Sequence, residues 1–244
     1  MTSWSGLNTA YFTEDKDDNI YHALVTSIVE HQLLPGSKLP EEALAEVFSV
    51  SRTGIRRVLQ RLASVQLVTI LPKRGAHVTM LNADESRDVF ATRKILECAN
   101  LPLVIAHCQS THLMALKKLV QEEERAHEER NGAMAIRLSA AFHVQLQAIS
   151  GNKVLTEFAS QLTLRSSLAI AAWGAPWQQG CRCHDHHDLL ELLKARDVAG
   201  LTHSMAHHFD SIVASLCFEQ NKDQLPDFAQ IFAAQTPVAG KEPT

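Results

Sequence analysis

In the stretch IYHALVTSIVEHQLL, residues 20–34, apolar side chains fall at 20, 24, 28 and then 33 and 34. That spacing predicts a helix with one buried face, stopped by Pro35-Gly36. A second short helix is predicted over Glu41 to Phe48, and SVS makes a turn. Ser51 is a good N-cap for a third helix running from Arg52 to about Ser64. The period then changes. LVTIL, the turn PKRG and AHVTM read as two short strands joined by a Gly-containing turn. After Leu81 the helical period returns, with helices expected near 83–108, 112–130, 132–150, 153–173, 184–195 and 197–219. Gly151-Asn152 is a stop signal between two of them, and GAPWQQG (174–180) is a loop. The first 17 or so residues read as a loose arm, and those after Gln224 as a frayed tail.

Three short helices followed by a two-stranded ribbon outline a winged helix-turn-helix. The expected architecture is therefore mainly α. A winged helix-turn-helix with its arm occupies residues 1–81, an all-α helical-bundle effector domain 82–222, and a tail 223–244. Composition agrees with this. An apolar fraction of 45% over 244 residues supports a proper core, and only 6% aromatic residues with abundant Leu and Ala favours helices over sheets. The net charge of −4 rules out a polycation, so any nucleic-acid contact requires a local basic patch. The five cysteines are scattered, the first residues are polar and acidic, and no run approaches the ~18 apolar residues of a membrane span. A reducing cytoplasm and no membrane partner are the expectation.

The basic patch lies in the third helix. Ile55, Val58, Leu59 and Leu62, at i, i+3, i+4 and i+7, make its buried stripe. Arg52 and Arg56 share a different face, with Thr53 and Arg57 beside them. Guanidinium groups near a helix N-terminus can enter a major groove and bond guanine edges and phosphates. The turn at Lys73-Arg74-Gly75 puts two more cations where a wing would reach DNA backbone or minor groove. From Lys38 to Val78 there are seven Lys or Arg against three Glu, a local excess of four positive charges in an acidic protein. A single Arg on a helix is usually just solvated. Here turn, helix, basic face and cationic ribbon coincide.

The segment GSKLPEEALAEVFSVSRTGIRRVLQRLASVQLVTILPKRGAHV resembles the DNA-binding domain of the GntR family of bacterial repressors, a likeness covering residues 20–80. The resemblance implies that Arg52 and Arg56 contact operator DNA, with Ser51 and Thr53 on phosphates. Four departures bear on the operator sequence more than on the fold. Gly54 stands where Pro usually opens the recognition helix, Arg57 where Glu is usual, Glu42 where an Arg often reaches DNA, and Gln66 where Gly follows that helix.

Six of the thirteen histidines lie in CHDHHDLLELLKARDVAGLTHSMAHHFDSI, residues 183–212. Counting helical turns sorts them. His208 falls on the apolar stripe Leu201, Met205, His208, Ile212, whereas His203 and His207 pair on another face. His186 begins the stripe His186, Leu189, Leu190, Leu193, with His187 beside it. His143, in LSAAFHVQLQAISGN, shares a face with Leu146 and Ser139. Three helices thus each direct one imidazole inward. A lone inward His is more often a hydrogen-bonded core residue, but one divalent ion would satisfy all three, and neutral imidazole suits zinc or nickel.

This pattern resembles the FCD-type effector domain of the FadR branch of GntR regulators, over residues 83–220. In its metal-containing subset an Asp-x3-His on one helix joins a His opening a later helix and a His near the end of the next. The resemblance assigns these roles to His143, His186 and His208, the last two lying eleven residues either side of the turn residue Asp197. Ser139 stands in place of the carboxylate, which leaves a fourth position for water or an anion, or implies a site that has degenerated. Arg93 and Glu97 match the frequent R-x-x-x-E. Arg93 is either an effector-carboxylate clamp or half of an ordinary ion pair, and Arg165 is a weaker candidate clamp. The Cys-Arg-Cys-His run at 181–184 lacks a partner cluster at zinc-finger spacing and reads as an exposed loop. The expected protein is a homodimeric regulator that binds operator DNA and senses a small carboxylate beside a His-bound metal. Three His plus water is also the ligand set of a hydrolytic enzyme, the rival reading.

Overall fold

The structure, a computed structural model, describes residues 16–174 and 183–218. The predicted arm up to residue 15, most of the GAPWQQG loop, Cys181 and the tail lie outside the described residues. The N-terminal part comprises α1 (Lys16–Val29), β1 (Lys38–Leu39), α2 (Glu41–Phe48), α3 (Arg52–Ser64), β2 (Val68–Leu71) and β3 (Gly75–Val78). Six helices follow: α4 (Ala83–His107), α5 (Ser110–Glu128), α6 (Gly132–Ala148), α7 (Lys153–Trp173), α8 (Cys183–Lys194) and α9 (Val198–Ser215).

The first helix departs from its predicted bounds at both ends. It begins at Lys16, with Asp17 and Asp18 in its first turn, where carboxylates favour the positive end of the helix dipole. It ends at Val29 because His31 adopts a left-handed φ of 57°, which turns the chain so that Gln32 and Leu33 donate back to the Ser27 carbonyl. The apolar residues at 33 and 34 that extended the prediction belong to that turn, with Leu33 packed on the core and Leu34 exposed. The sheet also holds one strand more than predicted. β1 is two residues long, too short for any alternation to show, and pairs antiparallel with β3 through Lys38↔His77 and Leu39↔Ala76. β2 pairs with the other edge of β3, giving the order β1-β3-β2.

The predicted stripe of α3 is the core of this part. Ile55, Val58, Leu59 and Leu62 are all at most 1% exposed and lie in one cluster with Ile20, Leu24 and Ile28 of α1. Gln66, just past α3, has φ 60°. A non-Gly residue there is disfavoured by roughly 1–2 kcal/mol, which is why Gly is customary at that place.

Asn82 starts α4 with a reciprocal capping box to Glu85. The centre of α4 is wrapped by α6, α7 and α9, while α5 pairs with α6 and α8. The two parts touch through the end of α1. A ring nitrogen of His31 meets the Ser167 carbonyl of α7 at 3.0 Å, Glu30 lies 3.0 Å from Arg137 of α6, and Trp173 donates to the Leu81 carbonyl. None of the described helices is long and apolar enough to cross a membrane.

Candidate functional site

The three inward histidines meet at one point. His143 of α6, His186 of α8 and His208 of α9 are each at most 1% exposed. Their Nε2 atoms face one another, His143 to His208 at 3.1 Å and His143 to His186 at 3.3 Å. His187, His203 and His207 are exposed, as the helical phasing required. Leu201, Met205 and Ile212 hold α9 in the core, so His208 on the same stripe has only one direction to point.

Behind each ring stands a carboxylate. His143 Nδ1 lies 2.8 Å from Glu97 Oε2, His186 Nδ1 2.6 Å from Glu123 Oε2, and His208 Nδ1 3.2 Å from Asp185 Oδ2. An ionised carboxylate only accepts, so each Nδ1 is the protonated nitrogen and donates to it. Each Nε2 then turns a lone pair towards the other two. Three lone pairs this close repel unless a cation sits between them. Zinc–nitrogen bonds of ~2.0–2.1 Å in a tetrahedron put the nitrogens about 3.3 Å apart, so the donor set fits such an ion. Phe142 stacks on the His186 ring at 4.5 Å and Phe209 flanks His143 and His208, enclosing the cluster in apolar surface.

The backing carboxylates Glu123 and Asp185 had no role in the sequence reading. Glu123 was legible in principle. It continues the α5 stripe Leu116, Val120, Glu123, and a carboxylate on a buried stripe needs a partner. Asp185 sits beside His186 in sequence, but its reach to His208 depends on how α8 and α9 pack. Glu97 belongs to both expected arrangements at once. Its Oε1 accepts from Arg93 Nε at 2.6 Å while Oε2 serves His143. Burial pushes the Glu97 carboxyl up, but Arg93 and His143 outweigh this and hold it at about 2.

A narrow cavity, partly open to solvent, adjoins the cluster. Arg93, Ser139, His143, Thr163 and Ser166 are among its polar lining, and Ile136, Ile170 and Ile212 among its apolar lining. Arg93 is 4% exposed and donates through Nη1 to Ser166, and its guanidinium lies over the Phe209 ring. Its Nη2 is buried with no hydrogen-bond partner among the described residues. The ion-pair and clamp readings of Arg93 are therefore compatible. Arg165 stands elsewhere: Thr163, Ser166, Ser167 and Ile170 take the inward face of α7, and residue 165 lies near the charge of Glu85.

On the N-terminal part, Ser51, Arg52, Thr53, Arg56 and Arg57 are all exposed at the start of α3, and Lys73, Arg74 and Gly75 form the exposed tip between β2 and β3. Gly75, at φ 84°, closes that tip where a side chain would be strained. The Ser51 hydroxyl caps α3 by accepting from Gly54 N–H at 3.1 Å. Three cations of α3 have acidic partners: Arg56 pairs with Glu41, Arg57 with Asp17 and Arg61 with Asp18. The Arg52 side chain forms no hydrogen bond or ion pair among the described residues, though its charge helps hold the Glu41 carboxyl below its ordinary value.

Comparison with known proteins joins these two sites. The chain is 27% identical to the Nta operon transcriptional regulator of Aminobacter aminovorans, covering 76% of this chain and 89% of that one. It is 26% identical to the transcriptional regulator McbR of Escherichia coli, over 81% of this chain and 93% of McbR. The solved structure of E. coli McbR superposes with a TM-score of 0.74 at 22% identity, covering 83% of this chain and 97% of that one. A GntR regulator from a Rhodococcus species superposes at 0.73 with 16% identity, covering 82% and 96%. Residues 16–78 match the bacterial regulatory proteins of the gntR family, and residues 88–211 match the FCD domain. The chain therefore belongs to the GntR family of bacterial transcriptional regulators, with an FCD domain behind its winged helix.

Proposed function

We propose that this regulator senses a small carboxylate that binds beside a divalent metal held by His143, His186 and His208, and that it represses transcription as a homodimer. The family and its named relatives are transcriptional regulators rather than enzymes. The observation that carries the metal reading is the convergence of three buried Nε2 atoms, each fixed in its tautomer by a carboxylate. Zinc and nickel suit this all-imidazole set. When bound, such an ion offers an electrophilic open position to an anionic oxygen. Ser139 lines the cavity where a fourth protein carboxylate would otherwise compete for that position.

The effector class follows from the same wall. Arg93 Nη2 is a buried donor without a partner, and an anion in the cavity supplies one. The limited space and the isoleucines around it favour a short acid. A homodimer is favoured because one winged helix reads too few base pairs for operator specificity, while a two-fold pair reads two half-sites. Binding of the acid biases the dimer only as far as it binds one arrangement better than the other.

Metal stoichiometry tests the site. Purified protein is stripped with chelator, reloaded with zinc and analysed for metal content. His143→Ala, His186→Ala and His208→Ala each lose bound zinc, and His203→Ala and His207→Ala retain it. Full zinc occupancy in the His208→Ala protein would sink the reading.

A further inference from the structure

The pair between Arg56 and Glu41 differs in kind from the other two ion pairs of α3. Arg57 and Arg61 approach Asp17 and Asp18 through a terminal nitrogen, at 2.8 and 2.7 Å, and so tie α3 to α1. Arg61 adds a stacking contact, 4.6 Å above the Tyr21 ring. Arg56 is gripped at two points. Its Nε donates to Glu41 Oε1 at 3.1 Å and its Nη2 to Oε2 at 2.7 Å, the parallel fork that orients a guanidinium in its plane. Only the side edge of the guanidinium is used. Among the described residues the end edge, with Nη1 and the second hydrogen of Nη2, has no partner, on a side chain that is 56% exposed.

We propose that Glu41 is a positioning residue for sequence recognition, holding Arg56 so that its free end edge meets a purine edge, guanine O6 and N7, in the major groove. This rests on the reading of α3 as the helix that enters DNA. Two physical points favour it. A long, exposed Arg otherwise samples many rotamers, and ordering it must be repeated at every binding event. Glu41 does that ordering before DNA arrives, by taking the one edge a guanine does not need. Its negative charge, placed on a DNA-facing surface, weakens attraction to phosphate in every sequence. A carboxylate there lowers general affinity, and presetting Arg56 is the gain it brings. Glu41 therefore trades affinity for discrimination, which a brace between α2 and α3 would not do.

The experiment uses the full chain. A randomised duplex library bound to wild-type protein and sequenced identifies a preferred duplex. Wild type, Arg56→Ala, Glu41→Gln and Glu41→Ala are then titrated at one salt concentration against that duplex, against its single base-pair variants and against a scrambled duplex. Arg56→Ala marks the base pairs that Arg56 reads. At those same pairs the Glu41 variants lose about tenfold of discrimination, within the range a bidentate base contact supplies. Their affinity for the scrambled duplex is unchanged or tighter. A partly exposed ion pair contributes little to folding, and thermal melts of both Glu41 variants verify that they fold. Full discrimination retained at the Arg56 base pairs overturns the proposal, as does an even loss across all positions. If Arg56→Ala itself leaves every preference intact, the reading of α3 falls and the proposal falls with it.

Discussion

Glu123→Gln should weaken metal binding about 10- to 100-fold, whereas Asp185→Asn should weaken it much less. Both carboxylates receive the Nδ1–H of a metal-site histidine, Glu123 from His186 at 2.6 Å and Asp185 from His208 at 3.2 Å. A carboxylate hydrogen-bonded across an imidazole from a dication lies about 7 Å from it. At an effective dielectric of 20, charges of +2 and −1 at that distance attract by roughly 5 kcal/mol. Desolvating the carboxylate offsets much of this, and the net effect of losing such a partner is the 10- to 100-fold quoted, or ~1.4–2.7 kcal/mol. Glu123 is 1% exposed and keeps most of its effect. Asp185 is 31% exposed, so water screens it and substitutes for it. Gln and Asn preserve shape and can still accept the Nδ1–H, which isolates the charge. The assay is competition for zinc between chelator-stripped protein and a chromophoric chelator of known affinity. Wild-type affinity in Glu123→Gln, or a larger loss in Asp185→Asn, would refute the argument.

Arg52→Ala weakens binding to the preferred duplex by about 1–3 kcal/mol per half-site, read by gel shift at fixed salt, because among the described residues the Arg52 side chain has no ion pair that would divert it from DNA. Ser139→Asp places a carboxylate one helical turn before His143 on the same face, so calorimetry should show tighter zinc binding and weaker binding of short carboxylic acids at the position the Asp fills. Glu97 gives a pH signature. Its carboxyl is held at about 2 in the folded protein against 4.5 ordinarily. The unfolded chain therefore binds the proton more readily, and the roughly 3 kcal/mol this contributes is present above pH 4.5 and lost as pH falls towards 2. Urea midpoints measured across that window should fall more steeply for wild type than for Glu97→Gln.

Much of the molecule was written in local pattern. The stripe Ile55, Val58, Leu59, Leu62 and the six helices after Leu81 follow from periodicity alone, because burying one face of a helix requires apolar side chains at that spacing. The sorting of the histidines was legible for the same reason. His208 shares a stripe with Met205 and Ile212, and His207, one residue away, is turned by about 100° to solvent. What local pattern cannot carry is a contact between elements distant in sequence. Glu123 reaches His186 across 63 residues, Glu97 reaches His143 across 46, and Arg56 meets Glu41 across the turn between α2 and α3. The two-residue β1 has no period of its own and exists only because β3 offers it an edge. Which face of α7 lines the cavity, with Thr163 and Ser166 on it and Arg165 off it, depends on where α4 and α6 stand around it. The sequence by itself determined which side chains turn inward where an apolar stripe marks the face, as on α3, α8 and α9. The tertiary packing decided which of them meet, since whether a buried charge or imidazole finds its partner depends on the distance between elements, a quantity that helical periodicity does not contain.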